Sequence, residues 1–353
     1  MISKHSIRAA LAPLFGAALV ISLAWSERAQ SIPRFSAEQG LPCVECHFAP
    51  GGGAQRNEFG HFTMSVNELT LQSTKAKLID SYKSPRLSDA VIVGSDVRFR
   101  LDDRGESQRY QTDFYLSLEP LRKVFFNLTF SGGTIDESYL LVTNGDNSLF
   151  AQAGRYYPGY GLRLEDFTSF VKNRTGVFHR TALEGATIGA QRGGYLVSVS
   201  YYTSLSQKMV VGNISGATTL GTVSYFYGIS ARASEELDAG GYGRFPPLKG
   251  AYAGVGWRGH SLSFEGDLIG KGNDAYAIYW GASLRVIPGL YGKLDYNFHD
   301  PDRRVTSGAE EFVRASVELW PIPFVEVNPG VTFYTDGPAK DTEEFDLRLH
   351  LAY

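Results

Sequence analysis

Residues 43 to 47 read Cys-Val-Glu-Cys-His, and Cys43 and Cys46 are the two cysteines of the chain. C-x-x-C-H is the spacing that attaches a c-type haem. Each thiol adds across one vinyl group of the porphyrin to give a thioether, and His47 is set to ligate the iron through its imidazole. The tether retains the cofactor even where the surrounding polypeptide is too short to enclose it. Two other readings of a cysteine pair compete. A thioredoxin-like redox pair needs a βαβ context, which the flanking sequence does not supply. Half of a structural zinc site needs a second pair of ligands, and there are no further cysteines to provide one. One covalent haem c on Cys43, Cys46 and His47 is the expected cofactor.

A second axial ligand has two candidates. The segment Phe59-Gly60-His61-Phe62-Thr63-Met64 places His61 and Met64 14 and 17 residues beyond His47. His/His and Met/His ligation both occur, and Met raises the potential. A methionine among aromatics is more often a packing residue, so His61 is the expected ligand and Met64 the alternative. His5 falls in the leader, and His179, His260, His299 and His350 belong to later segments that would have to fold back onto the haem. Two protein ligands favour electron transfer. An open sixth position favours a haem enzyme such as a peroxidase.

The flanking composition indicates what positions these residues. Residues 1–30 have the form of a secretory signal: Lys4 and Arg8, an apolar run over 9–25, and small residues at Ala24, Ser26 and Ala29. The competing reading is a transmembrane anchor, for which the run is short and interrupted by Pro13. Residues 31–85 form a small module, punctuated by Pro42 and by Pro50-Gly51-Gly52-Gly53. About 50 residues bury little surface alone, so the module must lean on its haem and on the remainder of the chain.

Residues 86–353 obey a different rule. Val97, Phe99 and Leu101 alternate with Arg98, Arg100 and Asp102, and Leu262, Phe264 and Leu268 with Ser263, Glu265 and Asp267. Leu290, Leu294, Tyr296 and Phe298 alternate with Lys293, Asp295, Asn297 and His299. The chain ends on Phe345, Leu347, Leu349, Leu351 and Tyr353 against Asp346, Arg348 and His350. A soluble sandwich shows such alternation once or twice. Charge sustained on one face predicts an all-β, transmembrane outer-membrane barrel with a wide, wet lumen, ending on an aromatic as bacterial outer-membrane barrels do. A mean hydropathy of −0.16 argues against a helical membrane protein but not against a barrel. The net charge of −3 offers no broad basic surface to nucleic acid.

Turn signals give the strand count. Tight turns at 119–122, 144–146, 192–194, 258–260, 287–289 and 320–323 read as periplasmic. Polar stretches near 157–180, 232–248, 300–310 and 336–343 read as extracellular. Parity then asks for a strand at 208–214 and a turn at Ser215-Gly216, which gives about 16 antiparallel strands, with 14 as the alternative. The long aromatic segment from Gly154 to Phe167 either folds into the lumen, where Arg155, Arg163, Glu165 and Asp166 would narrow the pore, or forms a solvated surface loop.

The order of leader, Cys43-to-His47 motif, Asn57, Phe59, Gly60 and Phe62, and then a barrel resembles the fused monohaem cytochrome–porin family, known for outer-membrane iron oxidases. The barrel matches in architecture alone, and the Gly51-Gly52-Gly53 run and the short barrel depart from the family. The resemblance implies an electron carrier in the bacterial outer membrane, with its haem module in the lumen or on the periplasmic side. It implies an extracellular donor such as Fe(II) and a periplasmic cytochrome as partner. As an enzyme it would be an Fe(II):cytochrome c oxidoreductase. A diffusion porin with a haem plug or sensor, or a haem enzyme, are the alternative functions.

Overall fold

The structure is a computed structural model. It describes residues 46–48, 55–62, 69–71 and 84–353, apart from 104–106, 163, 165–167, 176–181, 205–206, 236–245, 271, 273 and 306. The leader, Cys43 and Met64 lie outside the described residues, as do Arg163, Glu165 and Asp166.

The strands are β1 (Arg86–Ser88), β2 (Val91–Asp102), β3 (Ser107–Leu121), β4 (Val124–Ser131), β5 (Thr134–Thr143) and β6 (Leu149–Tyr156). They continue with β7 (Leu183–Arg192), β8 (Tyr195–Ser204), β9 (Gln207–Leu220), β10 (Val223–Ser234), β11 (Leu248–Trp257) and β12 (His260–Ile269). The last five are β13 (Ala275–Ile287), β14 (Leu290–Asp300), β15 (Glu310–Ile322), β16 (Val325–Asp336) and β17 (Thr342–Ala352). Each strand from β2 to β17 pairs antiparallel with the next, and β17 returns to β2 with Leu349 opposite Phe99. The result is a closed barrel of 16 strands, as the turn parity expects. The short β1 pairs only with the start of β2.

Closure explains the alternation. Each strand from β2 to β17 has a hydrogen-bonded neighbour on both sides, so the sheet has no free edge, the condition for crossing hydrocarbon with strands. On β12, Phe264 is 43 % exposed while its neighbour Glu265 is 0 % exposed. Leu262, Leu268, Phe345 and Leu347 face outward, and Asp267, Asp295, Arg314 and Asp346 face inward. An apolar exterior around a polar interior inverts a soluble protein and fits lipid. Among the described residues no helix is long and apolar enough to cross a membrane.

The two ends of the barrel differ. Turns at 122–123, 144–148, 193–194, 221–222, 258–259, 288–289 and 323–324 share one end with the start of β2 and with Tyr353. The longer connections, 157–182, 235–247, 301–309 and 337–341, share the other. All six tight turns and all four long loops expected from sequence fall at their expected ends.

The turn at Ser215-Gly216 does not form. β9 runs on to Leu220, and the turn lies at Gly221-Thr222, with Gly221 at φ +63°. Gly216 has another use: a Cβ there would lie 2.9 Å from the Tyr195 ring and 3.1 Å from the Tyr227 ring. It is a strand glycine that makes room for cross-strand aromatics.

Candidate functional site

The described parts of the N-terminal segment sit on the tight-turn end of the barrel. Phe48 donates its N–H to the Gln55 carbonyl, and His47 forms an antiparallel bridge with Arg56. Asn57 donates its N–H to the Cys46 carbonyl at 2.9 Å. It then caps the helical turn over 58–62: its side-chain carbonyl accepts the Gly60 N–H at 2.9 Å, and its backbone carbonyl accepts the His61 N–H at 2.9 Å. This is the N-cap use of asparagine.

Gly60 brings that turn against the haem motif. A Cβ at Gly60 would lie 2.3 Å from the Cys46 carbonyl oxygen and 2.8 Å from its Cα, so only glycine allows the approach. His61 is thereby held one residue from the contact with Cys46. The Asn-x-x-Gly spacing is the local device that unites the two halves of the candidate site.

The barrel supplies the walls. Cys46 is buried in a cluster with Leu69, Tyr291 and Trp320, the last two contributed by β14 and β15. Leu71 donates its N–H to the Trp320 carbonyl at 3.0 Å, and a Cβ at Gly289 would strike the Leu71 nitrogen at 2.5 Å. Phe48 packs on Phe125 of β4 with centroids 5.3 Å apart. The Trp320 indole N–H donates to Glu318 Oε1 at 2.8 Å, and its ring meets His350 edge-on at 6.2 Å. His350 lies 3.1 Å from both Glu326 and Asp96, so it is engaged with the barrel wall.

His47 and His61 are both buried. The His61 ring lies 4.5 Å from Phe324 and 4.7 Å from Tyr353. Burial, with a smaller contribution from the Arg56 guanidinium, pushes its pKa down to about 4. The imidazole is therefore neutral at physiological pH, the form that ligates a metal. The residue types suit a haem: the C-x-x-C-H motif, and a neutral imidazole on the residue that follows the Gly60–Cys46 contact, its ring against Phe324 and Tyr353. That backbone contact is what brings the two segments together. The wall residues Tyr291, Trp320, Phe324 and Tyr353 carry no sequence signal of this role, because each lies more than 200 positions from the motif.

The lumen is occupied from the other end. The connection between β6 and β7 turns inward and carries a short helix, α1 (Phe170–Asn173). Tyr160 donates its hydroxyl to Asp267 Oδ1 at 2.9 Å, and Lys172 Nζ donates to Glu265 Oε1 at 2.9 Å. The Gly161 N–H meets Ser230 Oγ at 3.0 Å, and the Phe170 N–H meets Asn297 Oδ1 at 3.1 Å. Tyr160, Leu162, Phe170 and Val171 are buried among inward rings such as Tyr156 and Phe312. So the loop folds into the lumen, and that half of the interior is packed rather than wide and wet. The anchors are Tyr160, Phe170 and Lys172. Arg155 instead stays half-exposed near Asp136.

Neither a sequence-family model nor a curated protein matches the chain. Solved barrels do match in shape. A loop-deletion mutant of OmpT, an outer-membrane protein of Vibrio cholerae, aligns with a TM-score of 0.54 at 12 % identity over 75 % of this chain and all of that one. The trimer form of the same protein gives 0.53 at 12 %, over 75 % of this chain and all of that one. A triple mutant of the Rhodopseudomonas blastica porin gives 0.50 at 12 %, over 74 % of this chain and all of that one. The fold is that of an outer-membrane β-barrel. At these identities the likeness concerns architecture, and the N-terminal site has to be read from its own residues.

Proposed function

We propose that the chain is a bacterial outer-membrane electron carrier holding one covalent haem c on Cys43, Cys46 and His47. His61 is the second axial ligand, with Met64 the alternative. The observation that carries this reading is the contact of Gly60 with Cys46, which sets a buried, neutral His61 beside the C-x-x-C-H motif. When bound, the haem supplies a one-electron iron couple. His47 and His61 would hold it through their imidazoles. Leu69, Tyr291 and Trp320 exclude water from the Cys46 side.

Direction and partners are those of the family resemblance: an extracellular donor of the Fe(II) class, and a periplasmic cytochrome at the tight-turn end. The loop rim carries both signs, with Asp102, Asp103, Asp300, Asp302, Asp336 and Glu343 alongside Arg174, Arg303, Arg304 and Lys340, so the cationic donor rests on the resemblance alone.

The second reading is a diffusion porin whose N-terminal segment is a haem plug or sensor. The polar inner wall favours it, and the packed loop at Tyr160 and α1 opposes it. Absorption spectra of the purified protein under anaerobic Fe(II), run beside single-channel conductance, separate the two. Reduction of the haem with little conductance supports the carrier. A large steady conductance and a haem that Fe(II) leaves oxidised would favour the porin.

A further inference from the structure

The rings that flank His61 come from the tight-turn end of the barrel and not from the N-terminal segment. Phe324 is in the tight turn between β15 and β16, and Tyr353 is the residue after β17. Their centroids lie 5.4 Å apart and 4.5 and 4.7 Å from the His61 ring. Both residues are fixed by backbone hydrogen bonds. The Ala352 N–H donates to the Phe324 carbonyl at 2.9 Å, and the Ser95 N–H of β2 donates to the Tyr353 carbonyl. Phe324 takes the left-handed conformation, φ +67°, which L side chains seldom adopt without a local reason.

The same end receives Gln55, six residues before His61. Its amide N–H donates to the Val93 carbonyl at 3.1 Å. A Cβ at the intervening Gly94 would lie 2.8 Å from Gln55 Nε2 and 2.9 Å from the Tyr353 carbonyl, so this glycine admits both onto β2. The Phe324 side of the box thus follows from the pairing of β16 with β17, and the Tyr353 side is tied to β2 as well.

We infer that Phe324 and Tyr353 are positioning residues that would hold the His61 imidazole toward a haem bound at the motif, so that the folded end of the barrel completes that site. This rests on the haem reading. Covalent attachment and axial ligation are then separate events, the second reporting the state of that end of the barrel.

The test uses the full-length protein in detergent. Phe324→Ala and Tyr353→Ala should each keep the covalently bound haem and the heat-modifiable band of a folded barrel, while the ferric spectrum moves from low-spin to high-spin. Tyr353→Phe, which retains the ring, should keep the wild-type spectrum. Where Tyr353→Ala fails to assemble, Phe324→Ala carries the test. Folded Phe324→Ala protein that stays fully low-spin overturns the inference.

A second arm needs no haem. In a Cys43→Ala/Cys46→Ala/His61→Cys chain, maleimide should label position 61 slowly in the folded barrel, and several-fold faster once Phe324→Ala is added. Equal rates overturn the box as well. A wild type without covalent haem would defeat the haem reading, and the labelling arm alone would then decide the positioning.

Discussion

Lys172 is the loop's main electrostatic hold on the lumen, and Lys172→Met tests it. Its ammonium lies 2.9 Å from Glu265 Oε1, with side-chain exposures of 6 % and 0 %. Glu265 Oε2 and Asp267 Oδ2 are buried without hydrogen-bond partners among the described residues, so that ammonium offsets much of the acidic pair. Methionine preserves the length of the stem and removes the charge. Stranding a buried carboxylate in this way costs roughly 3–5 kcal/mol. At about 1.4 kcal/mol per tenfold, that shifts the docking equilibrium of the loop by roughly two to three and a half powers of ten. The barrel's own ladders are untouched, so the heat-modifiable band should remain. Exposure of the loop should appear as faster trypsin cleavage from the loop side and as a larger single-channel conductance. Glu265→Gln in the same chain removes the stranded charge and should recover most of the protection, a coupling that a double-mutant cycle measures. Lys172→Met protein with wild-type protease resistance and wild-type conductance would refute the argument that this pair holds the plug.

Other outcomes rest on the same geometry. Cys43→Ala/Cys46→Ala should abolish haem staining on denaturing gels, which the wild type retains. His61→Ala should keep the stain but turn the ferric spectrum high-spin, and a low-spin His61→Ala protein that Met64→Ala converts would assign the ligand to Met64. Gly60→Ala forces a Cβ to within 2.3 Å of the Cys46 carbonyl oxygen, an overpacking that should cost about 1–3 kcal/mol of local stability and lower the haem content per folded barrel. Leu347→Arg, on the outward face at the middle of β17, should cost roughly 2–4 kcal/mol in a bilayer refolding titration if it lies near the midplane.

Much of this architecture is legible in the chain because a barrel needs only two local signals, alternation and turns. The contrast of Phe264 with Glu265 can be read directly from the sequence, and parity needs no tertiary contact to return 16 strands. The misplaced turn at Ser215-Gly216 shows the limit of that reasoning. A glycine that makes room for Tyr195 and Tyr227 looks the same in sequence as one that bends the chain. The Asn57-to-Gly60 spacing that sets the turn against Cys46 is local in the same way. The walls are not, since Trp320, Phe324 and Tyr353 reach His61 and Cys46 only through closure of a ring that begins at β2. The loop's anchors are obscured by their chemistry. Charged residues are the conspicuous candidates in the segment from Gly154 to Phe167, whereas Tyr160 and Phe170, with the distant Lys172, make the contacts.

The candidate ligands Cys46, His47 and His61 all lie at one mouth. An 11-residue strand such as β17 rises roughly 3.3 Å per residue and, at a tilt of about 40°, lifts the far rim roughly 25–30 Å above that mouth. On the carrier reading proposed above, one haem at His47 would leave this height uncrossed. A donor coming from the loop side would then have to descend into the barrel past Tyr160 and α1. Selection among donors would become a matter of bulk and hydration shell, decided by a few side chains at the upper constriction.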